Sequence, residues 1–338
     1  MIDRHVSSRH PLAPVAAVIV AIGLFAAMDG LMKRASIASG VFPALLARSL
    51  LGAAVLWPVW RWRRGFSGWP ARDLMRLHLL RGAVVAGMAG SYFWGIVRTP
   101  LAEGIAISFI APLLALLLAA ALLGEQLRRQ AVLGSLVALA GVGVIAAGRM
   151  YGADTGGSAE STREAAWGIA AILGSAVLYA WNLVLQRQQA QRAGPLEVAL
   201  FQNLFIALAM IAVLAGALGL GAGWSELVVP ARAALSDIAW SALMASISVM
   251  LLAWAYARAE AQALVPLEYT AFPWSALFGW LWFAEPVTGA SLGGLALILL
   301  GVWIGGRGGQ RPPPAPPPPP RSQTPPLDPP VRLKSQRA

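Results

Sequence analysis

Near the end of the chain a carboxylate stands in the middle of an apolar run: Glu268, in PLEYTAFPW, between Pro266 and Pro273. A charge in hydrocarbon costs on the order of 3 kcal/mol, so such a group faces a cavity or a partner rather than lipid. The prolines lack a backbone N–H and free carbonyls that a regular helix would use. A carboxylate in this setting can bind a cationic substrate or carry a proton. The plainer alternative makes it an ion-pair partner of Arg48 or Arg81. A second carboxylate, Asp29, lies late in the first apolar run, four residues before Lys33. That spacing allows a local ion pair on one helix face, and a contact to substrate is the competing reading. Asn182 occupies the corresponding place in the sixth run, so polar groups at matched points suggest a shared central cavity. Tyr269, Tyr92, Trp181 and Trp254 lie deep within apolar runs, and Ser108 adds a hydroxyl in the fourth. Aromatic faces of this kind suit flat or cationic substrates, although packing or lipid contact is the plainer account of any one ring. Arg48 reads as a structural anchor.

Other chemistries lack their residues. There is no cysteine, which excludes disulfides, thiol catalysis and Cys-based metal sites, and the three histidines fall outside the apolar runs or at their edge. No HExxH, GxSxG or paired-aspartate motif is present, and no Walker motif, so ATP hydrolysis by this chain is excluded. Gly141-x-Gly143 follows no strand and precedes no Lys-Ser/Thr, and reads as helix packing. No cofactor and no metal are expected. A membrane-embedded enzyme or lipid-handling protein is the alternative class, and it would need a catalytic constellation at one membrane face.

The elements that must position these residues are membrane helices. With 58% apolar and 12% charged residues and a mean hydropathy of +0.65, a chain of 338 residues has too much apolar surface for water. Taking about 20 residues per span, ten runs are found, at 12–33, 41–60, 78–97, 101–123, 130–148, 166–186, 196–220, 233–256, 262–283 and 288–306. The first is too long for a signal peptide and is followed by many like it, so it reads as a span. The segment from Arg98 to Val142 recurs without a gap as Arg258 to Val302, both carrying the pattern E-x8-G-x6-G-V. The earlier spans correspond too: Asp29-x3-Lys33-Arg34 matches Asn182-x3-Gln186-Arg187, and Arg48-Ser49-Leu50 matches Gln202-Asn203-Leu204. An odd number of spans per copy inverts the second copy in the membrane.

The expected organisation is a segment 1–11, a five-helix repeat 12–148, a polar loop 149–165, a second repeat 166–306, and a Pro-rich tail 307–338 that reads as disordered. Glu125 and Glu285 each end a span and read as caps of the helix that follows. Loop charge sets orientation. With the N terminus in the cytoplasm, the cluster Arg61, Arg63, Arg64, Arg72 and Arg76 and the tail's basic residues share its side, and the opposite side keeps fewer. Both termini are expected inside. The net charge of +11 is spread through loops and tail rather than over one face, so no nucleic-acid partner is implied.

Two stretches, RTPLAEGIAISFIAPLLALLLAAALLGE (Arg98 to Glu125) and ARAEAQALVPLEYTAFPWSALFGWLWFAEP (Ala257 to Pro286), resemble the drug/metabolite transporter superfamily, and within it the EamA-type ten-span members. The likeness covers about residues 12–306. It implies an all-α integral membrane protein with ten transmembrane helices in two inverted five-helix repeats. It also implies a central cavity and alternating access in the cell inner membrane. The substrate class would be a small polar or amphipathic metabolite: an amino acid, a nucleoside-type metabolite or a drug-like compound. The lipid bilayer is then a partner, and a homodimer stays open.

Overall fold

The computed structural model describes residues 12–65, 68–111, 113–114, 129–153, 159–221, 230, 232–258 and 264–306. The segment 1–11, Glu125 with most of the second half of the fourth expected span, part of the polar loop and the Pro-rich tail lie outside them. Among the described residues there are ten α-helices, two 3-10 turns and no strand. They are α1 Leu12–Ser39, α2 Val41–Arg64, α3 Arg72–Ile96, α4 Leu101–Ser108, α5 Arg129–Ala153, α6 Ala159–Ala190, α7 Pro195–Gly219, α8 Leu235–Tyr256, α9 Ala271–Phe283 and α10 Gly289–Gly306. The 3-10 turns are Arg232–Ala234 and Val265–Thr270.

Runs rich in Leu and Ala favour helices, and a segment in lipid must satisfy its own backbone. Among the described residues, five stretches are long and apolar enough to cross a membrane: Leu12–Ser39, Val41–Arg64, Thr162–Gln186, Pro195–Gly219 and Arg232–Tyr256. Between α1 and α2 the chain turns at Gly40, whose φ of 80° a side chain would resist.

The helices pair mostly between the two halves. The most extensive packing is α5 on α10, followed by α1 on α8, α3 on α6 and α2 on α7. The α5–α10 seam is a backbone-to-backbone contact. A Cβ at Gly141 would lie 2.5 Å from the carbonyl oxygen of Gly294, and one at Gly301 would lie 2.4 Å from that of Gly134. Only glycine lets helices approach so closely, and small residues are the usual means of helix association in lipid. These are the glycines of the repeated pattern.

The end of α9 prepares the site from outside. Ala284 takes the left-handed conformation (φ 52°), with its N–H bonded to the Trp280 carbonyl and that of Glu285 to the Gly279 carbonyl. This closes the helix with an αL residue that is usually glycine. Glu285 does not cap the helix that follows it. Thr288 does, its Oγ1 accepting the Ser291 N–H at 3.1 Å. Glu285 instead accepts the Leu101 N–H at 2.7 Å, capping α4 in the other half, and pairs with Lys33. Lys33 also donates to the Thr99 carbonyl at 2.7 Å. The carboxylate thus serves two elements remote in sequence, which local capping statistics could not reveal.

Candidate substrate site

The repeat offset of 160 sets Ser108 against Glu268 and Phe109 against Tyr269. Both copies leave regular α geometry at this point. After Ser108, the N–H groups of Phe109 and Ile110 bond to the carbonyls of Ala106 and Ile107, three residues back, each at 3.2 Å. The matching stretch of the second copy is the 3-10 turn Val265–Thr270, which contains Pro266. Proline's missing N–H and its clash with the preceding turn suit a break there, while Pro273 falls in the first turn of α9, where it is tolerated. Short 3-10 stretches within a span mark hinges and sites, because they leave backbone groups outside the helical ladder. The Phe109 and Tyr269 rings meet edge to face with centroids 5.0 Å apart, so the two breaks touch.

Tyrosines converge on the carboxylates. Tyr179 of α6 donates to one Glu268 oxygen at 3.3 Å, and Tyr256, the last residue of α8, donates to the other. Tyr269 follows in the turn, and its buried hydroxyl has no partner among the described residues. Tyr92 of α3 donates to Asp29 Oδ2 at 3.1 Å. Four of the chain's five tyrosines therefore lie at these two acids. Each acid sits half-buried, and α1, which carries Asp29, packs on the turn that carries Glu268. A hydroxyl ring satisfies carboxylate lone pairs without cancelling the charge, so the groups keep their attraction for a cation.

The ion pairs expected as alternatives are not the ones formed. Lys33 turns away from Asp29 to Glu285. Neither Arg48 nor Arg81 meets Glu268. Arg48, 5% exposed, lies over the Phe93 ring (5.7 Å) and donates to the Met28 sulfur at 3.3 Å. Arg81 donates to Asn182 Oδ1 at 3.0 Å and to Gln189 Oε1 at 2.5 Å. That bond orients the Gln189 amide so that its N–H₂ faces His78 Nδ1 at 2.5 Å. The imidazole Nδ1 then accepts, which puts the ring proton on Nε2, 3.5 Å from Glu197. Glu197 pairs with Arg64 and accepts the Trp60 indole N–H at 3.2 Å.

The other candidates divide. Ser108 bonds its own Gly104 carbonyl at 2.9 Å, opposite Glu268 in the repeat. Asn182 faces Arg81 in the buried network rather than Tyr92 and Asp29. Trp181 is exposed on the outer side of α6, and Trp254 lies under Arg258 at 4.5 Å. Sequence reasoning missed the network of His78, Arg81, Gln189 and Glu197. Its signal was present: His78 and Arg81 are three residues apart, and Asn182 and Gln189 seven, each pair on one helix face.

This is a many-helix membrane protein with paired broken segments and tyrosine-bound acids at its centre. The chain belongs to the EamA-like transporter family, whose sequence pattern matches it twice, over residues 12–147 and 166–305. The pseudopaline exporter CntI of Pseudomonas aeruginosa UCBPP-PA14 is 25% identical over 289 residues, covering 83% of this chain and 92% of that protein. Its counterpart in strain PAO1 matches to the same extent. A solved crystal structure covering 86% of this chain and 96% of its own superposes with a TM-score of 0.55 at 23% identity, a likeness of fold.

Proposed function

We propose that the chain is a secondary active transporter that moves a small polar or amphipathic metabolite across the cell inner membrane by alternating access. In this reading ten spans form two inverted repeats, with residues 12–148 and 166–306 as the repeats and both termini in the cytoplasm. Pairings that exchange when the halves are exchanged support it: α1 with α8 answers α3 with α6, while α2 with α7 and α5 with α10 answer themselves. The exporters among the relatives favour outward movement.

One observation carries the reading. Glu268 lies on a broken segment, opposite its repeat counterpart's break, with Tyr179 and Tyr256 on its oxygens. Broken helices at a repeat interface are where transporters hold substrate and coupling ion. Glu268 binds the cationic part of the substrate and exchanges it for a proton. Ser108, Tyr269, Asp29 and Tyr92 border that place, and the movement is a rocking of the two repeats about it.

The test is efflux from proteoliposomes loaded with a cell extract, followed by mass spectrometry. Wild type releases a defined set of compounds faster than empty liposomes, and Glu268→Gln releases the same set at least tenfold more slowly with an unchanged elution profile. A tenfold effect is about 1.4 kcal/mol, near the low end for one charge-assisted hydrogen bond. Wild-type rates and pH profile in the variant would reduce Glu268 to a helix partner.

A further inference from the structure

His78, Gln189 and Arg81 are almost wholly buried, at 1%, 1% and 4% exposure, and are bonded in one fixed order. Arg81 has donors and no acceptor, so the Gln189 atom 2.5 Å from its Nη1 is the amide oxygen. The Arg81 Nε is spent on Asn182, at 3.0 Å. The Gln189 N–H₂ therefore points the other way, at His78 Nδ1, 2.5 Å off. A ring nitrogen that accepts carries no proton, so the imidazole proton sits on Nε2, which faces Glu197. Stacking on the Phe201 ring, with centroids 4.7 Å apart, holds the imidazole in its plane. Donation runs in one direction from Arg81 to Glu197, and each bond depends on the one before it.

That order tolerates one protonation state of His78. A proton added to the Nδ1 lone pair makes it a donor, set against the donor face of the amide. Turning the amide over gives the imidazolium an acceptor, but then the N–H₂ meets the Arg81 guanidinium, which accepts nothing. No orientation of Gln189 serves both neighbours, because an amide has one oxygen. Arg81 and the amide are each left with a buried donor and no acceptor, a costly condition inside a protein. The new charge also stands one turn from Arg81 on α3 and repels it. Both effects act on the packing of α3 against α6, one of the most extensive contacts between the halves. The groups around His78 come from four helices. Glu197 of α7 faces Nε2, Arg64 of α2 is bound to that carboxylate, and α6 presents the neutral Gln189 and Asn182. On α3 itself stand Arg81 and, at its exposed start, Arg72, Asp73 and Arg76. His78 is the one histidine among the described residues, so the α1–α8 contact that answers α3–α6 has no such device.

We infer that His78 is a proton-binding site that works as a latch: its protonation takes the Gln189 amide oxygen from Arg81 and loosens α6 from α3 at this end of the bundle. The proton comes from the aqueous phase beside Arg64 and Glu197, whose side chains are 28% and 10% exposed, and adds to Nδ1. The imidazolium then gains Glu197 as a charged partner on α7, so one proton weakens the hold on α6 and strengthens the hold on α7. The latch uses none of the residues around Glu268, and its test needs no substrate, so it stands or falls separately from the carrier reading.

The experiment uses the full-length protein in lipid nanodiscs. His5→Gln and His10→Gln leave His78 as the sole histidine, and nitrogen NMR of histidine-labelled protein reads which ring atom carries the proton. The chain has no cysteine, so Ala71→Cys before α3 and Gln191→Cys after α6 supply one pair of spin labels across this end. Between about pH 8 and pH 5 the ring should pass from a proton on Nε2 alone to protons on both nitrogens. With the same midpoint the label distance should lengthen by about 2 Å or more, the upper size of ordinary helix shifts. His78→Gln, which takes no charge, should lose that step. Gln189→Glu separates the latch from simple titration: a carboxylate accepts from Arg81 and from the imidazolium together, so His78 still titrates while the distance stays constant. A proton on Nδ1 at the upper pH, no titration of the ring in this range, or titration without a change in distance overturns the inference. So does a distance step that survives in either variant.

Discussion

The α5–α10 seam and the carboxylate centre are built from the same two repeats and treat them in opposite ways. At the seam the copies are kept alike: Gly141 meets Gly294, and Gly301 meets Gly134, so the second glycine of the pattern in each copy meets the first glycine of the other. At the centre they are made different: Ser108 against Glu268, Phe109 against Tyr269, Asp29 against Asn182, Arg48 against Gln202. A twofold contact between helices needs the same small residue on both sides. The proposed site needs an acid in one particular place, which two identical copies would supply twice. The seam is close, backbone against backbone, and its energy is packing. The centre is polar and incompletely bonded, and it sits where both copies abandon regular helix.

The comparison can be broken first at the seam. Gly301→Val places side-chain atoms where a Cβ alone would already approach the Gly134 carbonyl oxygen to 2.4 Å. Overpacking against backbone has no side chain to yield, so a loss of about 3 kcal/mol or more is expected. Thermal unfolding in detergent, followed by size exclusion, measures it; a wild-type midpoint would mean the helices separate without cost.

At the centre, Tyr256→Phe removes one hydroxyl from Glu268 and leaves the ring. The expected change is about 1 kcal/mol, a severalfold loss of efflux with a shifted pH profile and an unchanged unfolding midpoint. A change in midpoint with no change in efflux would assign the tyrosine to the scaffold. Asp29→Asn should be milder, about two- to threefold on efflux, roughly 0.5 kcal/mol, because an amide oxygen still accepts the Tyr92 hydroxyl. It also makes position 29 match Asn182, so a loss as deep as that of Glu268→Gln would show that the asymmetry at this pair is needed. The smallest effect is the control. A Cβ at Gly143 meets nothing within 4 Å, so Gly143→Ala should shift stability by no more than about 0.5 kcal/mol. A large loss there would show that the Gly143 face of α5 is packed as well.

Of the other end of the bundle, the charged ladder from Arg64 through Glu197, His78 and Gln189 to Arg81 joins α2, α3, α6 and α7, two helices from each half. The opposite end holds both kinds of contact: Arg34 with Asp237 at 3.1 Å, where Arg34 is 44% exposed, and the buried pair of Lys33 with Glu285. Exposed pairs of that kind contribute about 0–1 kcal/mol, whereas breaking a buried one costs about 3–5 kcal/mol.

The amino-acid sequence by itself determined the solvent, the helical class, the duplication and the mid-span acids, because apolar run length, a repeat offset and a charge in hydrocarbon are all properties of a linear string. It also marked Pro266 as a point where a helix would break. What it could not decide was partnership. Lys33 stands four residues from Asp29 and binds Glu285, 252 positions away; Glu285 neighbours α10 and caps α4; Asn182 answers Asp29 in the repeat and holds Arg81 in space. Local spacing fixes which contacts are available, but a buried charge goes to whichever partner the packing of distant helices brings within reach, and that choice was made by the tertiary structure.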